Sequence, residues 1–241
     1  YKLLREDMVL LTYLHLAAYP KVQYSVENPS HSLRQNVFVT SRLLEWSKNH
    51  KVKRVIFSSS AAVNNGKPSS PYGLHKLMSE MECKLYSEIY DIDTVSLRYF
   101  NVYSEDQEAS GPYATAICNW MQYIRESKNP FITGTGEQRR DMLHVDDAVA
   151  ANIFAMEYEK KFNGQNFDCG TGDNISLNEV KSIVQKEFPH VHFDYIDARP
   201  GDVALTKADI SKLKKLGWNT KININNGVIN CFKKLKGEIN C

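Results

Sequence analysis

Tyr72 and Lys76, in the run Tyr72-Gly73-Leu74-His75-Lys76, follow a triple serine, Ser58-Ser59-Ser60, at the end of an apolar stretch. Residues four apart lie about one helical turn apart, so a phenol and an ammonium would project from one face. A phenol titrates near pH 10, too high for a base at neutral pH, but a nearby cation favours the phenolate. Lowering its pKa by about 3 units takes roughly 4 kcal/mol of differential stabilisation. A serine hydroxyl at the strand end can then share the proton of a substrate alcohol. That is carbinol–ketone chemistry. The spacing alone is weak in a chain with 13 Tyr, and Tyr86-x-x-x-Tyr90 repeats it further along. Context strengthens it: Val55-Ile56-Phe57 leads into the serines, and Ser70-Pro71-Tyr72 reads as a helix start. Ligands of open α/β sheets bind at the carboxyl ends of the strands.

The surrounding elements alternate between strand and helix periods, which implies an α/β fold with a doubly wound parallel sheet. Residues 10–16 read as a buried strand, followed by a loop through Pro20 and Pro29 and a helix over 30–49. Strand 54–59, helix 71–90 and strand 93–99 come next. After Asn101 the texture changes, with helices expected at 111–127, 146–159, 176–187, 208–215 and 223–235 and strands near 131–133, 166–169 and 192–196. The reading divides the chain into 1–105, carrying the catalytic pair, and 106–241, a smaller C-terminal lobe interleaved with the last strands of the main sheet.

The 241 residues carry a formal charge of +2 with 24% charged residues, an ordinary globular composition. No basic run points to nucleic acid, and Lys212-Leu213-Lys214-Lys215 reads as a solvated helix face. Five scattered cysteines without a Cys-x-x-Cys argue for a reducing, cytoplasmic setting, with neither disulfides nor a zinc site. His15 and His144 read as packed strand-end side chains, and no metal is expected. The apolar stretch from Met8 to Ala18 is too short to span a bilayer, so no membrane partner is expected. The chain begins with Tyr rather than Met, which leaves its true start open.

A dinucleotide domain should open with a strand, Gly-x-Gly-x-x-Gly and a helix, because backbone N–H groups at that helix terminus cradle the pyrophosphate. Among the 12 glycines only Gly134-Thr135-Gly136 and Gly170-Thr171-Gly172 form Gly-x-Gly pairs, and neither has the third glycine. The second follows a strand and precedes Ser176 and Glu179, a capping-box pair. It sits late in the chain and reads as a tight connection. Either no dinucleotide binds, or the first strands are missing.

Taken together, the segments resemble the extended short-chain dehydrogenase/reductase family, specifically its NAD-dependent nucleotide-sugar 4-epimerases. The matching pieces run in order through Tyr13-Leu14-His15-Leu16-Ala17-Ala18, Ser25-Val26-Glu27-Asn28-Pro29, Asn36-Val37, Ser58 to Val63 and Ser70 to Lys76. They continue through Leu97 to Tyr103, Gly134 to Asp141, His144-Val145-Asp146-Asp147 and Arg199-Pro200-Gly201-Asp202. The resemblance spans residues 7–235 and implies a Rossmann-like sheet whose N-terminal glycine-rich strands are absent here, with NAD as cofactor. It implies that Tyr72 is the acid–base, Lys76 its pKa partner and a ribose ligand, and Ser60 the hydroxyl on the reacting sugar oxygen. Leu16, Ala17 and Ala18 would pass along NAD, Asn36 would organise the catalytic group, and Phe100 would lie near the nicotinamide. On the nucleotide-sugar side it implies Asn101 holding the sugar nucleotide, Arg140 and Arg199 on the pyrophosphate, and Asp202 on the ribose. Each has a structural alternative: Arg140 could pair with Asp141 or Asp147, and Asp202 could be a turn residue. A homodimer is implied through the tyrosine-bearing helix.

Dehydratases of this family carry Asp-Glu after the serine, because eliminating water needs a further acid and base. Here Ala61-Ala62-Val63 follows Ser60, which favours epimerisation through a transient 4-keto sugar. Ser60 and Tyr72 are only 12 positions apart, with Asn64-Asn65-Gly66 between them, a shorter wall for the sugar than the family usually has. Val39 and Ser104 stand where glycine is usual. A dehydratase or reductase, or a sugar-nucleotide-binding homologue of low activity, remain the alternatives. Without the glycine-rich strands, weak NAD binding and little turnover are expected of the chain as written.

Overall fold

The computed structural model describes residues 11–109, 115–198 and 203–239. Its strands are β1 (Thr12–His15), β2 (Arg54–Ser60), β3 (Asp93–Tyr99), β4 (Phe131–Thr133), β5 (Arg139–Arg140), β6 (Gln165–Cys169), β7 (Ile175–Ser176) and β8 (Asp194–Ile196). Its α-helices are α1 (Val22–Glu27), α2 (Pro29–Leu33), α3 (Val39–Asn49), α4 (Pro71–Tyr90), α5 (Ala116–Arg125), α6 (Val145–Glu157), α7 (Leu177–Glu187), α8 (Ser211–Leu216) and α9 (Ile224–Ile239). A π-turn, Arg34–Phe38, joins α2 to α3, and a 3₁₀ turn, Ala61–Gly66, follows β2.

Two compact units result, one holding the described residues through Arg98 with Ala150–Phe167, the other Tyr99–Val149 with the described residues from Asp168. In the first, the parallel sheet has the order β1-β2-β3-β6, an α/β Rossmann-like arrangement. β1 pairs with β2 from Thr12↔Arg54 to His15↔Phe57. Val55 and Phe57 of β2 pack with Leu44 of α3, Cys83 of α4 and Ile92. The run Val55-Ile56-Phe57 in β2, buried on successive positions, is what a strand covered on both faces requires. Helix α4 begins at Pro71, with the Ser70 hydroxyl accepting from Gly73 N, and stops at Asp91, whose φ of 55° is left-handed.

One node fastens the start of β2 to the chain beyond α6. Arg54 Nε meets Asp93 at 2.7 Å, while its Nη1 donates to the carbonyls of Ala155 (2.8 Å) and Tyr158 (2.6 Å) and its Nη2 to that of Lys160 (2.8 Å). Asp93 Oδ1 also accepts from the amides of Phe162 (2.7 Å) and Asn163 (3.0 Å). A planar fork suits carbonyls fanned around a helix end, which lack partners of their own.

The second unit centres on Trp120, Met121, Ile132, Val180 and Phe232. β4 and β8 pair in parallel, and β5 and β7 antiparallel. Asp147 of α6 accepts from the amides of Lys221 (3.0 Å) and Ile222 (2.9 Å).

Helix 71–90 and strand 93–99 fall where the sequence puts them, because the helix has a cap and the strand alternates Val95, Leu97 and Tyr99 with polar residues. Two expectations need correction. The loop expected between Pro20 and Pro29 holds α1, whose single buried residue is Ser25 and which therefore shows no apolar stripe. The helix expected over 30–49 is interrupted by the π-turn around buried Asn36. The first part of the helix expected at 111–127 lies outside the described residues; α5 begins at Ala116, with Thr115 as its cap.

Candidate active site

Parallel strands β1 and β2 bring their carboxyl ends to one edge of the sheet, and three serines end β2. Each has a different task. The Ser58 carbonyl accepts from Lys76 Nζ at 2.6 Å. The Ser59 hydroxyl donates to Glu80 Oε1 at 2.5 Å, and Glu80 is gripped from the other side by Arg98 Nε (2.7 Å) and Nη2 (2.6 Å). Ser60 is half-buried; its Oγ accepts from Ala62 N at 3.2 Å, and among the described residues its own proton has no acceptor.

One turn of α4 carries the pair singled out by the sequence. Tyr72 and Lys76 are both buried, at 7% and 3% exposure. Lys76 Nζ sits 4.8 Å from the centroid of the Phe57 ring and 6.0 Å from that of the Tyr72 ring. Burial lowers the Lys76 ammonium to about 8, and the Glu80 carboxylate one turn on opposes part of the shift. The ammonium therefore stays largely charged at neutral pH, beside the phenol. Gly73 is what lets this turn approach the chain after Ser60: a Cβ there would lie 2.3 Å from the Ala62 carbonyl oxygen. Sequence spacing and structure thus place the three candidate residues at one end of β2.

At the end of β1, Leu16 and Ala17 are exposed and Ala18 is half-buried. Buried Asn36 reaches the next residue, with Oδ1 accepting from Tyr19 N at 2.8 Å and Nδ2 donating to Tyr19 O at 3.1 Å. His15, buried, faces Thr40 Oγ1 at 3.0 Å. Burial, then the charge of Lys76, lowers its imidazole to about 4, so it is neutral and packed. No group of His, Cys, Asp and Glu among the described residues could hold a metal ion.

The remaining candidates belong to the second unit or fall outside the description. Phe100 is buried, and Asn101, with a left-handed φ of 35°, donates from Nδ2 to the Asp141 carbonyl at 2.7 Å. Arg140 is half-buried, with Nη1 donating to the Arg139 carbonyl at 3.0 Å. Asp147 is already served by backbone amides, as is Asp141. Arg199 and Asp202 lie outside the described residues.

The Gly170-Thr171-Gly172 loop, the pattern most like a phosphate cradle, holds an internal anion. Asp141 Oδ1 accepts from Thr171 N at 2.8 Å, and Oδ2 from Gly172 N at 3.0 Å and Ala208 N at 3.1 Å. Gly170 is needed there, since a Cβ would lie 2.8 Å from Asp141 Oδ2. Ser176 and Glu179 form the capping box of α7. Sequence reading missed Ser25, Ser32, His75, Glu80 and Arg98, and only burial reveals them.

A Rossmann-like sheet with a serine, a tyrosine and a lysine at a strand end defines a class of enzyme, and the sequence profile agrees: residues 7–170 match the NAD dependent epimerase/dehydratase family. The chain belongs to that family. It is 30% identical to a UDP-glucuronate 4-epimerase of Thermodesulfobacterium geofontis, across 94% of this chain and 73% of that protein. Among solved structures it resembles a UDP-N-acetylglucosamine 4-epimerase from Methanobrevibacter ruminantium in complex with UDP-N-acetylmuramic acid, with a TM-score of 0.87, 30% identity and coverage of 97% and 79% of the two chains. It also resembles a UDP-glucuronic acid 4-epimerase from Bacillus cereus in complex with UDP-glucuronic acid and NAD, with a TM-score of 0.85, 28% identity and coverage of 95% and 76%.

Proposed function

We propose that the chain interconverts nucleotide sugars epimeric at C4, with a UDP-hexose or UDP-N-acetylhexosamine as substrate and NAD retained through each cycle. The observation that carries this reading is the buried Lys76 ammonium held between the Ser58 carbonyl and the Tyr72 ring. It has three N–H donors and uses one on protein, which fits a ribose diol arriving from a cofactor. The Leu16-Ala17-Ala18 segment, exposed at its first two residues, suits the passage of a dinucleotide along the strand end.

Bound NAD would accept a hydride from the sugar carbon and give it back. The protein's own part is proton handling and orientation. Tyr72, as phenolate, takes the proton of the 4-hydroxyl and later returns it. Lys76 supports the phenolate through its charge, and Ser60, with its proton unassigned among the described residues, donates to the reacting oxygen. The 4-keto sugar then turns over between the two transfers. Asn101, Arg140, Arg199 and Asp202 would hold the nucleotide, with guanidinium forks matching phosphate oxygens. Ala61 and Ala62 supply no second acid–base pair for dehydration.

α4 also supports a homodimer. Leu74, Met78, Met81, Leu85 and Ile89 are 37–64% exposed at helical spacing, forming an apolar stripe along four turns. The four cysteines among the described residues are free and buried, which suits the reducing cytoplasm. No helix among those residues is long and apolar enough to cross a membrane.

The test is incubation of the full-length protein with NAD and UDP-glucose or UDP-N-acetylglucosamine, followed by NMR. Appearance of the 4-epimer is expected, and Tyr72→Phe should lower kcat by about a thousandfold while sugar-nucleotide affinity stays. A deoxy-keto product would favour dehydration instead. No conversion of either substrate would overturn the reading.

A further inference from the structure

His75 lies between Tyr72 and Lys76 in sequence, is 5% exposed, and faces the helix pair α2–α3. Its Nδ1 is 3.0 Å from Ser32 Oγ, and Ser32 is fully buried. Asn36 Nδ2 donates to the same Ser32 Oγ at 3.2 Å. The direction of every bond in this set can be worked out. Tyr19 N is an obligate donor, so the Asn36 atom facing it is Oδ1, and the amide nitrogen must face Tyr19 O and Ser32. Ser32 Oγ therefore accepts from Asn36, and because the side chain is fully buried with His75 Nδ1 as its one other hydrogen-bond neighbour among the described residues, its hydroxyl proton goes to His75 Nδ1. His75 must be an acceptor at Nδ1 and carry its proton on Nε2. Burial favours that neutral form by lowering the imidazole pKa.

The chain of bonds runs from the segment just after Leu16-Ala17-Ala18 to the turn bearing the acid–base pair. A second tie reinforces it, for Ser25 Oγ accepts from Tyr72 N at 3.0 Å and donates to the Val22 carbonyl at 2.6 Å. The π-turn puts Asn36 where it can serve Tyr19 and Ser32 at once, and such turns recur at functional sites. Packing alone would accept any side chain of similar volume at position 75. The fixed donor order does not.

We propose that His75 is a positioning residue, which sets the Tyr72–Lys76 turn against the cofactor-binding end of β1 through the one-way chain Asn36 to Ser32 to His75. This rests on the epimerase reading for its kinetic arm only. A histidine ¹⁵N–¹H spectrum of the whole protein at neutral pH, assigned by the signal lost in His75→Asn, should show His75 neutral with Nε2 protonated. His75→Asn offers Ser32 a carbonyl oxygen near the place of Nδ1 and should keep kcat and NAD affinity within about threefold of the parent. Ser32→Ala, and His75→Leu, which has volume but no acceptor, should each lose about tenfold or more in kcat or NAD affinity, the scale of an unmet buried hydrogen bond. Sugar-nucleotide KM should stay within about twofold in all three, since His75 and Ser32 are buried against each other inside the protein. An Nδ1-protonated or charged His75 overturns the proposal, as does a His75→Leu protein equal to His75→Asn. If His75→Leu does not fold, the spectrum and Ser32→Ala decide. If the parent turns over no nucleotide sugar, the epimerase reading falls, while the tautomer and NAD affinities still judge the chain.

Discussion

Lys76 is the residue on which the proposed chemistry turns, and its titration yields a prediction of definite sign. Burial holds its pKa at about 8 rather than 10.5, so the charge beside Tyr72 is present below that value and lost above it. Once the ammonium is neutral the phenol regains its ordinary reluctance to ionise. kcat should therefore decline on the alkaline side with an apparent pKa near 8, and Lys76→Met should remove that limb along with most activity. A flat profile through pH 9 would show that the ammonium does not support the base. The same shift links to folding: the unfolded chain binds the proton more tightly between about 8 and 10.5, so this group's effect is to make stability rise with pH across that window. At this scale the sequence was generous, since a four-residue spacing after a serine-rich strand end singled out Tyr72, Lys76 and Ser60 as candidates. It was silent on Ser32, His75 and Glu80, because isolated buried polar residues have no periodicity and their partners lie far away in sequence.

Among the elements, α4 and the 3₁₀ turn after β2 meet closely at Gly73. Replacing Gly73 by Ala would drive a methyl group into the Ala62 carbonyl, and backbone yields less readily than side chain. Overpacking of this kind costs about 1–3 kcal/mol, and the displacement would fall on Tyr72 and Ser60 together. We expect Gly73→Ala to lower kcat by more than tenfold and to shift the urea midpoint. A variant with parental kcat would mean that the turn is not held at this contact. Long elements were legible because α4 has its Ser-Pro start and β3 its alternation of Val95, Leu97 and Tyr99 with polar residues. α1 escaped notice because six residues that bury only Ser25 display no stripe. The π-turn is equally silent, since an inserted residue leaves composition and mean periodicity nearly unchanged.

For the whole molecule, Arg54 joins distant parts of one unit through Asp93 and three carbonyls. Its side chain is 11% and that of Asp93 5% exposed, so removing one partner strands a buried charge. Arg54→Met should cost about 3–5 kcal/mol in urea denaturation, and a loss below about 1 kcal/mol would show that water replaces the fork. The apolar stripe of α4 makes a second forecast: Met81→Glu should shift a dimeric species to monomer in light scattering, and an unchanged mass would exclude this face. The parallel α/β arrangement followed from alternation of strand and helix, whereas the strand order and the place of Ala150–Phe167 in the first unit, tied there by the Arg54 and Asp93 bonds, are announced by no local pattern. The carboxylate of Asp141, seated among the amides of residues 171, 172 and 208, has one more consequence. That berth is taken by the chain itself, so a diphosphate visiting this protein must find its donors elsewhere, and a motif scan that nominated the glycine loop would send the mutagenesis to the wrong address.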